Sequence, residues 1–338
     1  MRYAIFNNKG GVGKTFLSFM ISTEVAAKNP DVPVIVADLC PQANLSEIIL
    51  GGNGRGAEIL EHILSTADRR TIGGYLDKRI ESPHAMTGDE TGFLTRACEY
   101  NPQLPPNLWL IVGDPSLELQ SQVINQIAAQ TLPPTAWKNV HNWLKDLLLA
   151  CSRKLSNDRT LSIIDCNPSF SSYTELAMVA AERLIVPCSS DGSSARAIDN
   201  IAALLYGLGS GPYGAVSFHA GARAHQMALP VIHSVVLNRS TQYDKKASKA
   251  FGAMFDEIKK RTNDIRKISP GDFVQSDELY HEIPDNRSVA IVCSHLGQPL
   301  YATQAGRYDI HDVKPQINPE PLDRYKQALD AFRATMTM

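Results

Sequence analysis

The sequence predicts an α/β protein with a doubly wound, mainly parallel sheet flanked by helices. Three observations carry this reading. A short apolar strand, Tyr3 to Phe6, runs into the glycine-rich turn Asn8-Lys9-Gly10-Gly11-Val12-Gly13-Lys14-Thr15, which opens a helical stripe at Leu17, Met20, Ile21 and Val25. Two later apolar runs, Val32 to Asp38 and Leu161 to Asp165, show little alternation, as expected for strands covered on both faces. Each of those runs ends in an aspartate, and in a parallel sheet strand ends of this kind collect at the carboxyl edge, where ligands bind.

The chain of 338 residues is long enough to bury a substantial core. Its hydrophobic share of 43% and charged share of 20% are ordinary for a globular protein. A formal net charge of −2 gives no global attraction to nucleic acid, so DNA binding would need a local patch. The six cysteines, at 40, 98, 151, 166, 188 and 293, make no CxxC pair and no zinc-like spacing, which fits a reducing cytoplasm. The first strand begins at once, leaving no room for a signal peptide, and no apolar run approaches the roughly 20 residues that span a bilayer. The expectation is a cytoplasmic protein.

A strand, a glycine-rich turn and a helix that begins with Lys-Thr wrap backbone N–H groups around nucleotide phosphates at a helix N-terminus. The bland alternative is a glycine-rich turn with a solvated lysine, which the context of seven consecutive matching residues disfavours. The strict P-loop pattern wants a glycine where Asn8 stands, but Lys9 ahead of Gly10 and Gly11 gives KGGVGKT. This is the deviant Walker A sequence, and through it the chain resembles the ParA/MinD family of ATPases. The resemblance implies a P-loop ATPase domain over residues 1–338, with ATP and Mg2+ as cofactors. It implies that Gly10, Gly11, Val12, Gly13, Lys14, Thr15 and Phe16 hold one nucleotide, while Lys9 reaches across a homodimer interface to the partner's ATP. At Phe16 the family usually has a threonine or serine near the α-phosphate; the loss of that hydroxyl weakens binding without abolishing it.

Asp38, Leu39, Cys40, Pro41, Gln42, Ala43 and Asn44 resemble the family's first switch segment, DxDPQxN, at Asp38, Pro41, Gln42 and Asn44. The second aspartate is replaced by Cys40. In the family that carboxylate orients the attacking water, a task a thiol does not perform in the same way. The sequence therefore implies nucleotide capture with slow hydrolysis, in which Lys9, Lys14 and Asp38 are the catalytic candidates. Asp165 with Pro168 matches the family's DxxP, a Walker B arrangement, and Thr15 and Asp165 are assigned to magnesium. Asn238 and Arg239, after a strand over Val231 to Leu237, resemble the adenine-binding segment, and Pro284 lies in the segment resembling the loop near the base. Ser190, Asp191 and Ser193 cap a helix from near Ser194, where the family places residues of its dimer face.

Between these motifs, residues 51–107 are expected to hold short helices near 56–65 and 71–79 and then loop. A strand over Leu108 to Val112 and a helix over Leu117 to Ile127 follow. Trp137, Val140, Leu144, Leu147, Leu148 and Cys151 recur at helical spacing and read as core, although Trp137 and Trp143 could instead face a partner. Residues 207–228 are polar and glycine-rich and are expected to form a surface loop or hairpin. Both 51–107 and 207–228 are insertions relative to the family pattern. Cys40, Cys166 and Cys188 each follow a strand; they read as small residues of a tight site, with a redox or metal cluster as the alternative.

Lys245, Lys246, Lys249, Lys259, Lys260, Arg261, Arg266 and Lys267 outnumber the acids between 245 and 267 by five. A solvated helix face explains them equally well as nonspecific, salt-dependent DNA binding. The resemblance favours DNA, because partition ATPases of this family bind it through basic patches in their C-terminal halves, and it adds a ParB-like cargo adaptor and nucleoid association. A final helix over Leu322 to Ala334 has an apolar side; Asp323 and Asp330 make it a docking helix rather than a membrane-binding one. The functional expectation is a ParA-type switch acting in DNA, plasmid or cargo partitioning. The rivals are a MinD-like positioning ATPase, a metabolic ATP-dependent ligase of the same superfamily, and a non-hydrolysing scaffold.

Overall fold

The computed structural model describes residues 1–156, 159–189, 193–240, 242–243, 246–247, 249–276, 278–311 and 313–337, with backbone alone for 193, 239, 240, 242, 243, 246, 247 and 249–251. Chain order begins with β1 (Arg2–Ile5), α1 (Lys14–Lys28), β2 (Val34–Leu39), α2 (Asn44–Leu50), α3 (Arg55–Ser65) and α4 (Ile72–Glu81). There follow β3 (Thr95–Arg96), α5 (Ala97–Tyr100), β4 (Leu108–Ile111), α6 (Leu117–Ala128), α7 (Ala136–His141) and α8 (Trp143–Ser156). The middle holds β5 (Leu161–Cys166), α9 (Ser172–Ala180), β6 (Arg183–Cys188), α10 (Ser193–Tyr206), α11 (Phe218–Ala224) and β7 (Val231–Ser240). The last part adds the short pair β8 (Gln242–Tyr243) and β9 (Lys246–Ala247), then α12 (Lys249–Ile268), β10 (Tyr280–Pro284) and α13 (Arg287–Leu296). A second short pair, β11 (Gly306–Arg307) and β12 (Gln316–Ile317), precedes α14 (Pro319–Ala334).

One eight-stranded sheet has the order β10-β7-β6-β1-β5-β2-β4-β3. All its pairings are parallel except that of β3 on β4. The chain first winds outward from β1 toward β2 and β4, returns to β5, and then winds the other way through β6, β7 and β10. The reversal falls at β1, so the turn after β1 occupies the topological switch point.

Alternate residues of each strand feed two cores. Ala4, Ile35, Ala37, Ile164 and Leu184 pack beneath α4 and α6 to α12, while Tyr3, Ile5, Val34, Val36 and Ile163 pack beneath α1, α2, α3, α13 and α14. Helices on both faces explain why these strands read as continuous apolar runs. The sheet and its helical layers are the architecture expected from the sequence.

Two expectations need correction. Residues 207–228 are neither open loop nor hairpin: a 3-10 turn, Gly211–Val216, leads into α11, which buries Phe218 and Ala222. Trp137 accounts for this docking, since it lies flat against the rings of His141 and His225 at 3.7 and 5.1 Å between centroids. A side chain at Gly221 would stand 2.9 Å from the Trp137 ring, so glycine lets α11 approach. The loop expected after the helices of 51–107 also contains a 3-10 turn at Glu90–Phe93, the antiparallel edge strand β3 and α5. The helices themselves are α3 and α4, close to the expected bounds. Trp143 is fully buried, as are Leu322, Tyr325, Leu329 and Phe332 of α14, so both stripes are core. Among the described residues no helix is long and apolar enough to cross a membrane.

Candidate functional site

The glycine-rich turn links β1 to α1, and its conformation requires its glycines. Gly11 and Gly13 have φ of 77° and 79°, the left-handed region that a side chain disfavours. A Cβ placed on Gly10 or Gly11 would meet nothing within 4 Å, so the turn borders open space. Helix α1 starts at Lys14 with no side-chain cap and no acid in its first turn. Its first N–H groups and the positive end of its dipole are thus available to an anion.

A cleft of about 500 Å³ opens there, lined by Gly10, Gly11, Gly13, Lys14, Thr15, Phe16, Cys40, Gln42, Asn44, Ile48, Cys166, Asn167, Pro168 and Ser294. It joins the phosphate-type loop, the segment after β2 and the segment after β5. Lys14 Nζ bends back over the loop, donating to Asn7 O at 3.0 Å and Lys9 O at 2.9 Å. Burial lowers its pKa, opposed by the charge of Asp165. Lys9 Nζ donates to Ser189 Oγ of its own chain at 2.8 Å. Asn7 braces the root of the loop, donating to Pro187 O at 2.7 Å and accepting from Lys9 N–H at 2.9 Å.

Asp38 and Asp165 are partners in the register of β2 and β5, and both are fully buried. Burial raises the pKa of each, and in Asp165 the charge of Asp38 raises it further. Three donors restrain Asp38: Ser46 N–H at 2.9 Å, Ser46 Oγ at 2.8 Å and Cys40 N–H at 3.1 Å. Asp165 Oδ1 accepts from Ser18 Oγ at 2.8 Å, and the Thr15 hydroxyl favours its ionised form. Asp165 Oδ2 is buried with no hydrogen-bond partner among the described residues.

An orphaned carboxylate oxygen beside a hydroxyl, at the mouth of a loop that suits phosphates, is the oxygen donor set that fits Mg2+. Among the described residues no group of three or more His, Cys, Asp or Glu gathers for a metal, so such a cation would lean on phosphate and water oxygens as well.

The remaining expected residues divide. Asn238 stands behind the loop, donating to Val12 O at 2.9 Å and Gly13 O at 3.3 Å. Arg239 follows it on β7, and Pro284 lies on the neighbouring β10, opposite Ser240. Neither Asn238 nor Pro284 lines the cleft, and the side chain of Arg239 is not described. Cys40 and Cys166 do line it, and burial pushes the Cys40 thiol up to about 12 and that of Cys166 up as well. Neither is a ready thiolate, and all six cysteines are free.

On α12, Lys260 and Arg261 are exposed, but Arg261 pairs with Asp199 of α10 at 2.7 Å, and Lys259 lies 3.8 Å from Asp256. Lys245 lies outside the described residues, as do Ser190 and Asp191, and the side chains of Lys246, Lys249 and Ser193 are not described. Sequence reasoning missed Asn7, Ser18, Ser46, Ser189 and Ser294. Serines and asparagines this common carry no signal until the fold places them beside a buried charge.

A family model described as an AAA domain matches residues 2–88. Curated protein sequences give no match. Among solved structures, apo McdA from Cyanothece is 14% identical with a TM-score of 0.58, over 97% of this chain and 98% of that one. A putative plasmid partition protein from Borrelia burgdorferi, bound to AMPPNP, is 16% identical with a TM-score of 0.53, over 99% of each chain. Cobyrinic acid a,c-diamide synthase from Mycobacterium smegmatis, with an ATP analogue and magnesium, is 18% identical with a TM-score of 0.50, over 87% of this chain and 91% of that one. At such identities the likeness is one of architecture, and it joins the amino-terminal match and the cleft in one conclusion: the chain has the P-loop α/β fold of ParA/MinD-type ATPases.

Proposed function

We propose that the chain, as one P-loop ATPase domain with additions at 51–107 and 207–228, is an ATP-dependent dimerising switch of the ParA type that acts in partitioning or positioning a cargo. The observation that carries this reading is the pair of lysines, Lys9 and Lys14, on one glycine-rich loop, with the charge of buried Asp165 acting on Lys14. Lys14 and the loop N–H groups bind the phosphates of ATP. Thr15 and Asp165 hold Mg2+, which would supply charge neutralisation at the phosphates. Asn238 fixes the loop backbone from behind, next to the place where the resemblance puts the base. Lys9 leaves Ser189 and completes the nucleotide site of a second copy.

Hydrolysis on this reading is slow. The Cys40 thiol stays protonated through neutral pH and neither accepts a proton nor orients water as a carboxylate does. An adaptor of the ParB kind would stimulate it. Exposed Lys260 and half-buried Lys259, which lies over the Phe255 ring, supply the salt-dependent contact to nonspecific DNA, a weaker patch than the sequence alone suggests because Asp199 offsets Arg261. DNA contact would place the protein on the nucleoid.

The direct test measures dimerisation with ATP, ADP and no nucleotide, with and without nonspecific DNA, alongside phosphate release. ATP-specific dimers that bind DNA support the reading; liposome binding in place of DNA binding supports a MinD-like positioning ATPase. A second reading, a metabolic ATP-dependent ligase, draws on the architectural likeness to the cobyrinic acid synthase. It requires turnover of a small-molecule acid without any macromolecular partner.

A further inference from the structure

We propose that Ser46 is a positioning residue, which fixes the Asp38 carboxylate so that its charge serves the cation side of the nucleotide cleft. This rests on the reading of the cleft as a site for ATP and Mg2+. A single hydroxyl proton fixes the arrangement. Ser46 Oγ accepts from Gly113 N–H at 2.8 Å and lies 2.8 Å from Asp38 Oδ2. A backbone N–H only donates, so the single hydroxyl proton is committed to Asp38. Ser46 N–H adds a second donor to the same oxygen at 2.9 Å. Two donors on Oδ2 fix that oxygen as an acceptor and leave the carboxylate no freedom to rotate.

The anchor behind Ser46 is itself built. A Cβ on Gly113 would stand 2.9 Å from the Asp38 carboxylate and 2.9 Å from Ala43, so only glycine permits this approach of β4 to the switch segment. The next residue, Asp114, is buried and accepts from Thr71 Oγ1, from Ser116 N–H at 2.9 Å and from Arg69 Nε at 3.2 Å. Ile72 N–H donates to Val112 O at 2.8 Å, tying the first turn of α4 to the end of β4. The segment 69–72, which leads into α4, thereby braces Gly113. Through the one hydroxyl of Ser46 it also braces Asp38.

Orientation matters here because Asp38 and Asp165 are like charges on neighbouring strands in one register. A carboxylate free to turn would move away from its neighbour. Held by Ser46, it keeps its place beside Asp165 at the carboxyl edge.

The test measures the affinity of the full chain for a fluorescent ATP analogue in Mg2+ and in EDTA, and takes the ratio. In Ser46→Ala the Mg2+-dependent gain should fall at least about tenfold, the scale for losing a group that orients a metal site. Affinity in EDTA should hold within about twofold, because the loop and Lys14 are untouched. Ser46→Thr keeps the hydroxyl and should keep the ratio. A purely structural role would lower the melting temperature of Ser46→Ala and leave the ratio as it was, which would overturn the proposal. If Ser46→Ala does not fold, Asp38→Asn takes its place, and an unchanged ratio there overturns the proposal equally. Failure of the unaltered chain to show any Mg2+-dependent binding would remove the ATP-and-magnesium reading itself, and the role of Ser46 with it.

Discussion

The carboxyl edge of the sheet and the outer face of α12 both concentrate charge, and they treat it in opposite ways. At the edge, Asp38, Asp165 and Lys14 are buried, and burial obliges each of them to take fixed partners: Ser46, Cys40, Ser18, and the carbonyls of Asn7 and Lys9. On α12 the cations lie in solvent, where Asp256 and Asp199 pair with Lys259 and Arg261 at little cost or gain. Charge placed by burial specifies chemistry, whereas charge placed by exposure specifies at most an attraction that salt screens.

The contrast can be broken most sharply at Lys14. Lys14→Ala should reduce ATP affinity by about 100-fold, the scale for losing a charged, hydrogen-bonded group from a buried site; equilibrium titration with a fluorescent analogue reads it. A loss of twofold or less would mean that the cleft is not organised around phosphate. Next in size is Cys40→Asp, which returns a carboxylate to the switch segment. Single-turnover phosphate release should rise by about 100-fold if slow hydrolysis comes from that substitution, and an unchanged rate would place the limit elsewhere.

Smaller effects belong to the exposed face. Reversing Lys259 and Lys260 to glutamate should weaken binding to nonspecific duplex DNA by about tenfold at low salt, with the effect vanishing as salt rises. ATP binding should be untouched, and equal DNA binding by the variant would move the patch off α12. The smallest effect is a pH dependence of stability. Burial raises the carboxyls of Asp38 and Asp165 in the folded state. A raised acid contributes stability that is full below the ordinary carboxylate range and is lost as pH climbs through the raised value. The nucleotide-free protein should therefore melt at a lower temperature at pH 8 than at pH 5. Asp165→Asn should flatten that slope by a few degrees at most for a chain of this size, and scanning calorimetry at the two pH values would show it.

What was legible in the sequence follows the same division. The loop, Asp38 and Asp165 could be read because strands buried on both faces are long apolar runs, and a polar residue at the end of each stands out. Helix α11 could not be read, since the glycines at 207, 209, 211 and 214 hide it and its anchor, Trp137, lies some 80 residues earlier. Ser18 and Ser46 look like ordinary helix residues until two strands bring carboxylates beside them. The Arg261–Asp199 pair joins two helices, so the local charge count over 245–267 overstated the patch. Asn238 was found by resemblance, but its bonds to Val12 and Gly13, which make it a brace for the loop, came only from β7 lying next to β6 behind the turn.

On the proposed function, Lys9 and Lys14 of one loop make a nucleotide-gated pair of subunits. Light scattering of the full chain with ATP and Mg2+, with ADP and Mg2+, and without nucleotide tests it most directly when run beside Lys9→Ala. The mass should double with ATP alone, and a Lys9→Ala variant should bind ATP yet stay monomeric. A mass that ignores nucleotide, or a Lys9→Ala variant that dimerises with ATP like the unaltered chain, would contradict it.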